Sequence, residues 1–211
     1  MMLRTVRCIV VLITFAFSAN AFAQVSASSI AKRLEDQLLS GAGVSMKFTI
    51  LGEGPVSIIA DLKDKKIRLE SSSMLVISNG STIWNYQKHS DRVTIDNVPG
   101  TSSPMHDPKS LFQFTENYSA TIAQHHGSMY RLELTPSANL RSFMDATGEM
   151  QKLSLDLDVQ KKDIRIVKAT AESSRGTSQI SALAIKPIKS IRSSDFIFTP
   201  PPGVKILDLR E

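Results

Sequence analysis

Asp195-Phe196-Ile197-Phe198-Thr199-Pro200-Pro201-Pro202-Gly203-Val204-Lys205-Ile206-Leu207-Asp208 sets two strand-like runs on either side of three prolines and a glycine. Phe196 and Phe198 alternate as they would on a half-buried strand, and Val204 to Leu207 reads as a second run after the break. Proline lacks a backbone N–H and is tolerated only at sheet edges and in turns. The strand carrying the two phenylalanines is therefore expected to turn a corner, and the tail to run on along another edge.

Upstream, strand signals recur at roughly 8–12-residue spacing, the rhythm of a closed or nearly closed all-β shape. Val44 to Leu51 and Val56 to Leu62 flank the turn residues Gly52-Glu53-Gly54-Pro55. Ile67 to Glu70 and Met74 to Ile77 come next. Asn79-Gly80 is the strongest hairpin signal in the chain and leads into Thr82 to Tyr86. Gln87 to Asp91 turns into Arg92 to Ile95. Ala120 to Ala123 and Met129 to Leu134 flank His125-His126-Gly127. Leu153 to Val159 alternates apolar and polar without a fault, and Ile164 to Ala171 and Gln179 to Ile185 follow. The expectation is a mainly β protein of about ten or eleven antiparallel strands.

Such a sheet has an apolar face that must be covered. One clear helix is available, Ser28 to Ser40, with Ile30, Leu34 and Leu38 as its apolar stripe. Ser26, Ser28 and Ser29 offer N-caps, and Gly41 and Gly43 end it. A second, short candidate starts at Asp107-Pro108 and brings Leu111 and Phe112 to one side. A third spans Ser137 to Ala146. So little helix over so much sheet suggests a curved sheet around a small helical lid, with an apolar hollow beneath. Parity names candidate lining residues: Phe48 with Ile50, and Met74 with Val76, share a face of their strands. Leu69, Trp84 and Phe112 complete the candidate cavity, and Ile30, Leu34, Leu38 and Leu111 the candidate lid.

The N-terminus reads as a secretory signal over residues 1–23. Arg4 and Arg7 form a positive region, Cys8 to Phe17 an apolar one, and Ala21-Phe22-Ala23 a small-x-small cleavage site. The apolar stretch is too short for a spanning helix, which needs about 20 residues. Cleavage leaves 24–211, one domain's worth. The sole cysteine, Cys8, leaves with the signal, so neither a disulfide nor a lipid anchor is expected. Arg4 and Arg7 also leave, which brings the formal charge of +5 down to +3. That balance does not argue for nucleic acid.

Catalytic signals are thin. His125 and His126 are adjacent on what reads as a hairpin tip, and adjacent strand residues point oppositely. With His89 and His106 they give no metal-ligand spacing. There is no nucleophile elbow, phosphate loop or paired-cysteine motif. The expectation is a binding protein with no catalytic residue, metal or cofactor.

Several stretches resemble the periplasmic outer-membrane lipoprotein carrier proteins, the LolA-type family. Phe196-Ile197-Phe198 with Pro201-Pro202-Gly203-Val204 is similar to the family's C-terminal signature. Asn79-Gly80-Ser81-Thr82-Ile83-Trp84-Asn85-Tyr86 resembles its tryptophan hairpin, Arg92-Val93-Thr94 its following strand, and Asp107 to Phe112 its proline-started lid helix. The likeness runs in order along the chain from residue 24 on. It implies an incomplete antiparallel β-barrel with a helical lid over an apolar cavity. It also implies a soluble, monomeric periplasmic carrier that takes acylated lipoproteins from an inner-membrane lipoprotein-releasing transporter to an outer-membrane acceptor. A lipid- or envelope-stress-sensing module with the same barrel is the alternative. The family's Arg-Pro pair, whose arginine bonds the lid, is missing from Leu62-Lys63-Asp64-Lys65-Lys66-Ile67-Arg68. Lys63 or Arg68 is the candidate substitute, although lysine's point charge does not replace arginine's planar fork.

The secreted protein should begin at Gln24 with no acyl group. Intact mass spectrometry checks this, and a retained Cys8 or an added acyl mass contradicts it.

Overall fold

The structure, a computed structural model, describes residues 25–50, 54–98, 107–138, 150–173 and 176–210. The signal segment and almost all of the third helix candidate lie outside the described residues. The rest is mainly β. Among the described residues twelve strands, rather than ten or eleven, form one sheet: β1 (Gly43–Ile50), β2 (Gly54–Asp61), β3 (Lys66–Ser71), β4 (Met74–Ser78), β5 (Thr82–Gln87), β6 (Arg92–Asn97), β7 (Tyr118–His126), β8 (Met129–Pro136), β9 (Met150–Val159), β10 (Ile164–Ser173), β11 (Gly176–Ile188) and β12 (Lys205–Asp208). Their spatial order is β12-β6-β5-β4-β3-β2-β1-β11-β10-β9-β8-β7. Two meanders, β1 to β6 and β7 to β11, meet at the antiparallel pair β1–β11. The edge strands β7 and β12 do not pair with each other, so the sheet stays open.

The helical part is small. α1 (Ala27–Leu38) starts at Ser26, whose hydroxyl accepts the Ser29 N–H at 3.1 Å. It buries Ile30, Leu34 and Leu38 almost completely. Each such side chain contributes roughly 1.5–3 kcal/mol. The Asp107-Pro108 start is a 3-10 turn, Pro108–Phe112, capped by the Asp107 side chain, and a single helical turn α2 (Phe114–Asn117) follows it.

One core gathers α1, Phe112 and Phe114 with Val44 of β1, Ala60 of β2, Leu132 and Leu134 of β8, Leu155 and Leu157 of β9 and Ala169 of β10. The strands from β2 to β8, side by side at about 4.8 Å spacing, would be far too wide, laid flat, for one small helical cluster to touch them all. The sheet therefore curls around α1. On β9 the apolar residues face inward as their alternation requires. The outward Asp156 accepts two hydrogen bonds from Arg131 across the strand pair, at 2.7 and 3.0 Å. That guanidinium holds the Asp156 carboxyl below the usual carboxylate range.

The stretch from Asp195 to Asp208 departs from expectation. Phe196 and Phe198 are not on a strand. Phe196 ends a 3-10 turn, Ser193–Phe196, and Phe198 lies in unpaired chain before the prolines. Their alternation serves as a pair of anchors instead. Phe196 is buried, and Phe198 stacks on Trp84 with centroids 6.4 Å apart and reaches Tyr86 at 6.3 Å. Residues 189–204 thus form a strap across the outer face of the β3–β6 quarter, where Ile77 and Val93 are also buried. Beyond the prolines the chain does take another edge: β12 pairs with β6, the one parallel pair among the described strands.

Gly41 and Gly43 do more than end a helix. A Cβ on Gly41 would sit 2.5 Å from the Ile188 carbonyl oxygen, and one on Gly43 would fall on the Ala60 carbonyl. These glycines let β1 start between β2 and β11. Gly43→Ala should cost about 1–3 kcal/mol, the usual penalty for forcing atoms into a packed site. Urea unfolding checks this, and an unchanged midpoint contradicts it.

Candidate functional site

The inner face of the sheet has two zones. Under α1, across β7 to β10 and the neighbouring ends of β1 and β2, it is sealed. Toward β5 it is apolar and mostly half-buried, with Val56 and Ile67 buried within it. The register decides who lies there. Phe48 pairs with Val56, Ile58 with Leu69, and Leu69 with Val76. Directly opposed residues share a face. Phe48, Ile50, Leu69, Met74 and Val76 therefore all stand on the inner face, on the same side as Val44 and Ala60. All five are half-buried, whereas Val44 and Ala60 are sealed. The apolar zone ends at polar groups, because Val76 pairs with Asn85 and Asn85 with Thr94. The Asn85 Oδ1 is buried without a hydrogen-bond partner.

Two cavity candidates sit elsewhere. Phe112 belongs to the sealed core beneath α1. Trp84 is on the opposite face. Ser78 pairs with Ile83 across the Asn79–Ser81 loop, so Trp84 opposes Ile77 rather than Val76. Its ring faces the strap. The turn length sets this parity, and the sequence alone did not supply the register.

The lid candidates Ile30, Leu34 and Leu38 are buried in the core, and Leu111 packs against it. The latch candidates do not hold them. Arg68 points to the outer face and pairs with Glu70 at 2.8 Å, because Arg68 alternates with the inward Ile67 and Leu69. Lys63 lies in the β2–β3 turn, on the rim of a shallow hollow beside α1 that also holds Lys32, Glu35 and Lys109.

Other residues do the fastening. The buried Glu35 carboxylate accepts the Thr115 N–H at 3.0 Å and the Thr115 hydroxyl at 2.8 Å. It thereby satisfies an otherwise orphan donor in the first turn of α2. Gln37 donates its amide N–H to the Ile164 carbonyl at 2.8 Å and accepts the Ile164 N–H at 2.9 Å. Arg33 donates to the Gln160 carbonyl at 2.7 Å. The helical pattern by itself groups Glu35 with the solvated flank. The available signal is its position, three residues before Leu38 and beside Leu34, at the border of the stripe. Behind α2, Tyr118 packs at 5.8 Å from Phe114, and burial pushes its phenol pKa up.

A cleft of about 450 Å³ opens between the end of α1 and the strands β10 and β11, lined by Leu34, Gln37, Leu38, Asp163 to Ile166 and Ala184 to Pro187. Beside the β7–β8 turn, His125 stacks on its cross-strand partner Tyr130 at 4.1 Å, on the same face as Leu132 and Leu157. Among the described residues no three of His, Cys, Asp or Glu gather as metal ligands, and no helix is long and apolar enough to cross a membrane.

No family model and no curated protein matches the chain. Among solved structures it is similar to an uncharacterized conserved protein from Thermus thermophilus. The TM-score is 0.50 at 12% identity, covering 86% of this chain and 98% of that one. The likeness is one of fold.

Removing the Glu35 carboxylate should leave the Thr115 donors without an acceptor. Glu35→Ala is expected to destabilise by about 1–2 kcal/mol, the range for a lost helix cap, and to speed proteolytic nicking between residues 107 and 117. Unchanged stability and nicking would show that Glu35 fastens nothing.

Proposed function

We propose that this protein is a periplasmic carrier for the acyl chains of lipoproteins. It takes them from an inner-membrane transporter, shields them on the half-open inner face of β1 to β5, and delivers them to an outer-membrane acceptor. It acts as a monomer, without catalysis, cofactor or nucleic acid. The observation that supports this reading is the unequal cover of the inner face. α1 seals half of the curled sheet's inner face, and beyond it Met46, Ile58, Leu69 and Val76, paired in one row across four strands, stay half-buried.

The energetics suit such a role. Each methylene withdrawn from water is worth about 0.8 kcal/mol. Chains of membrane length therefore need a shielded route across an aqueous space. A half-buried apolar face with polar residues at its border gains that energy without enclosing the cargo irreversibly. The resemblance noted in the sequence points the same way.

Mass spectrometry of lipids extracted from the protein, purified from its own envelope, is the direct test. Bound acyl lipids support carriage, and loss of lipoprotein sorting on depletion separates carriage from sensing. Val76→Asp places a charge at the centre of the apolar face and should weaken binding of a fluorescent fatty acid by about tenfold or more, since an unpaired charge in an apolar site costs several kcal/mol. Secretion and the unfolding midpoint should change little, because Val76 is only half-buried. Equal fatty-acid affinity in the variant contradicts the assignment of this face.

A further inference from the structure

We propose that the cleft where β10 parts from β11 is a peptide-binding site that takes an extended segment by strand addition. On the carrier reading, upon which this inference rests, the segment is the linker joining the cargo's acylated end to its folded domain.

The cleft exists because β11 serves two partners. Its first part pairs with β10 from Ala169↔Ile180 to Ser173↔Gly176. Its second part pairs with β1 from Ile50↔Ile180 to Gly43↔Ile188, across an irregularity between Lys47 and Thr49. The described β10–β11 register stops at Ala169. Asp163 to Ile166 on one side and Ala184 to Pro187 on the other then become facing walls, with Leu34, Gln37 and Leu38 of α1 between them. The space of about 450 Å³ lies within the roughly 300–1,000 Å³ of ordinary binding sites.

What occupies part of it now identifies what it can take. The Gln37 side chain is a primary amide, and it bonds both the N–H and the C=O of Ile164. A neighbouring antiparallel strand would make that same pair of bonds. Ile166 is two residues further along, and strand alternation turns its own N–H and C=O toward the same side. An acyl chain could fill the volume, but it offers nothing to these groups. A peptide in extended form pairs with them through its backbone, whatever its sequence, and gains affinity from main-chain bonds. The walls carry Arg165 and Lys186 as well as Asp163, so a polar, flexible segment of either sign is not excluded by charge. Leu34 and Leu38 face both the cleft and the sealed core, which puts a peptide held here beside the apolar interior.

The test is amide hydrogen exchange on the full mature chain with three probes: a tri-acylated cysteinyl peptide with a polar tail, the same peptide without acyl chains, and palmitate. The tri-acylated peptide should slow exchange at Ile166 about tenfold or more relative to the palmitate-bound protein, as burial in a strand pairing does. Gln37→Leu removes the internal competitor. It should tighten the tri-acylated peptide relative to palmitate by about threefold or more, the scale of one net hydrogen bond. If all acylated probes bind but palmitate and the peptide protect the same amides, or if Gln37→Leu does not favour the peptide, the cleft is not a peptide site and carriage stands. If no acylated probe binds, the carrier reading falls and takes this inference with it.

Discussion

The twelve described strands present more apolar surface than α1, a helix of three turns, can cover, and the architecture follows from that mismatch. The sheet curls until α1 touches strands from both meanders, which seals one half of the inner face. The other half stays apolar and in large part half-exposed, and the β4–β6 quarter turns part of its apolar residues outward instead. There the chain uses its own C-terminal segment as cover, with Phe196 and Phe198 as anchors. Three different solutions to a single covering problem thus coexist in one sheet: a helix, a strap and a surface left half open.

Polar contacts decide where α1 sits on that surface. The hydrophobic stripe fixes which face points down, but apolar contact is non-directional. The directional part comes from Glu35 on α2, Gln37 on β10 and Arg33 on the β9–β10 turn. All three lie on flanks of the helix where an amphipathic pattern marks only "not core". The helix is held by its borders as well as by its stripe.

This explains what could be read from the chain beforehand and what could not. The strands were legible because two-residue alternation is a local signal, as on Leu153 to Val159. The helix was legible for the same reason at its own period. Parity within single strands grouped Phe48 with Ile50 and Met74 with Val76, and the register across strands put both pairs and Leu69 on one face. Trp84 failed because its face depends on pairing across a loop, and a shift of one residue inverts every side chain. The two phenylalanines failed because alternation near prolines is equally compatible with anchored, unpaired chain. Arg68 failed because a family's latch was carried to a position whose neighbours, Ile67 and Leu69, already claimed the inward direction. Glu35 and Thr115 are 80 residues apart, and no local pattern links them.

The placement of the β1–β11 pair has a kinetic consequence. Within each meander, strands adjacent in space are adjacent in sequence, so hairpins can form with short loop closures. The seam between the meanders joins Gly43 to Ile188, almost opposite ends of the described chain, and it lies in the middle of the sheet. Closing so long a loop is entropically costly before its contacts form, and topologies of this kind fold slowly. Until β11 arrives, β1 is an open edge bearing Phe48 and Ile50, a template for pairing with other chains. The strap and β12 come later still in the sequence. The chain therefore completes its central seam and its outer cover last, and its exposure to aggregation is greatest while it is newly made rather than once it is folded.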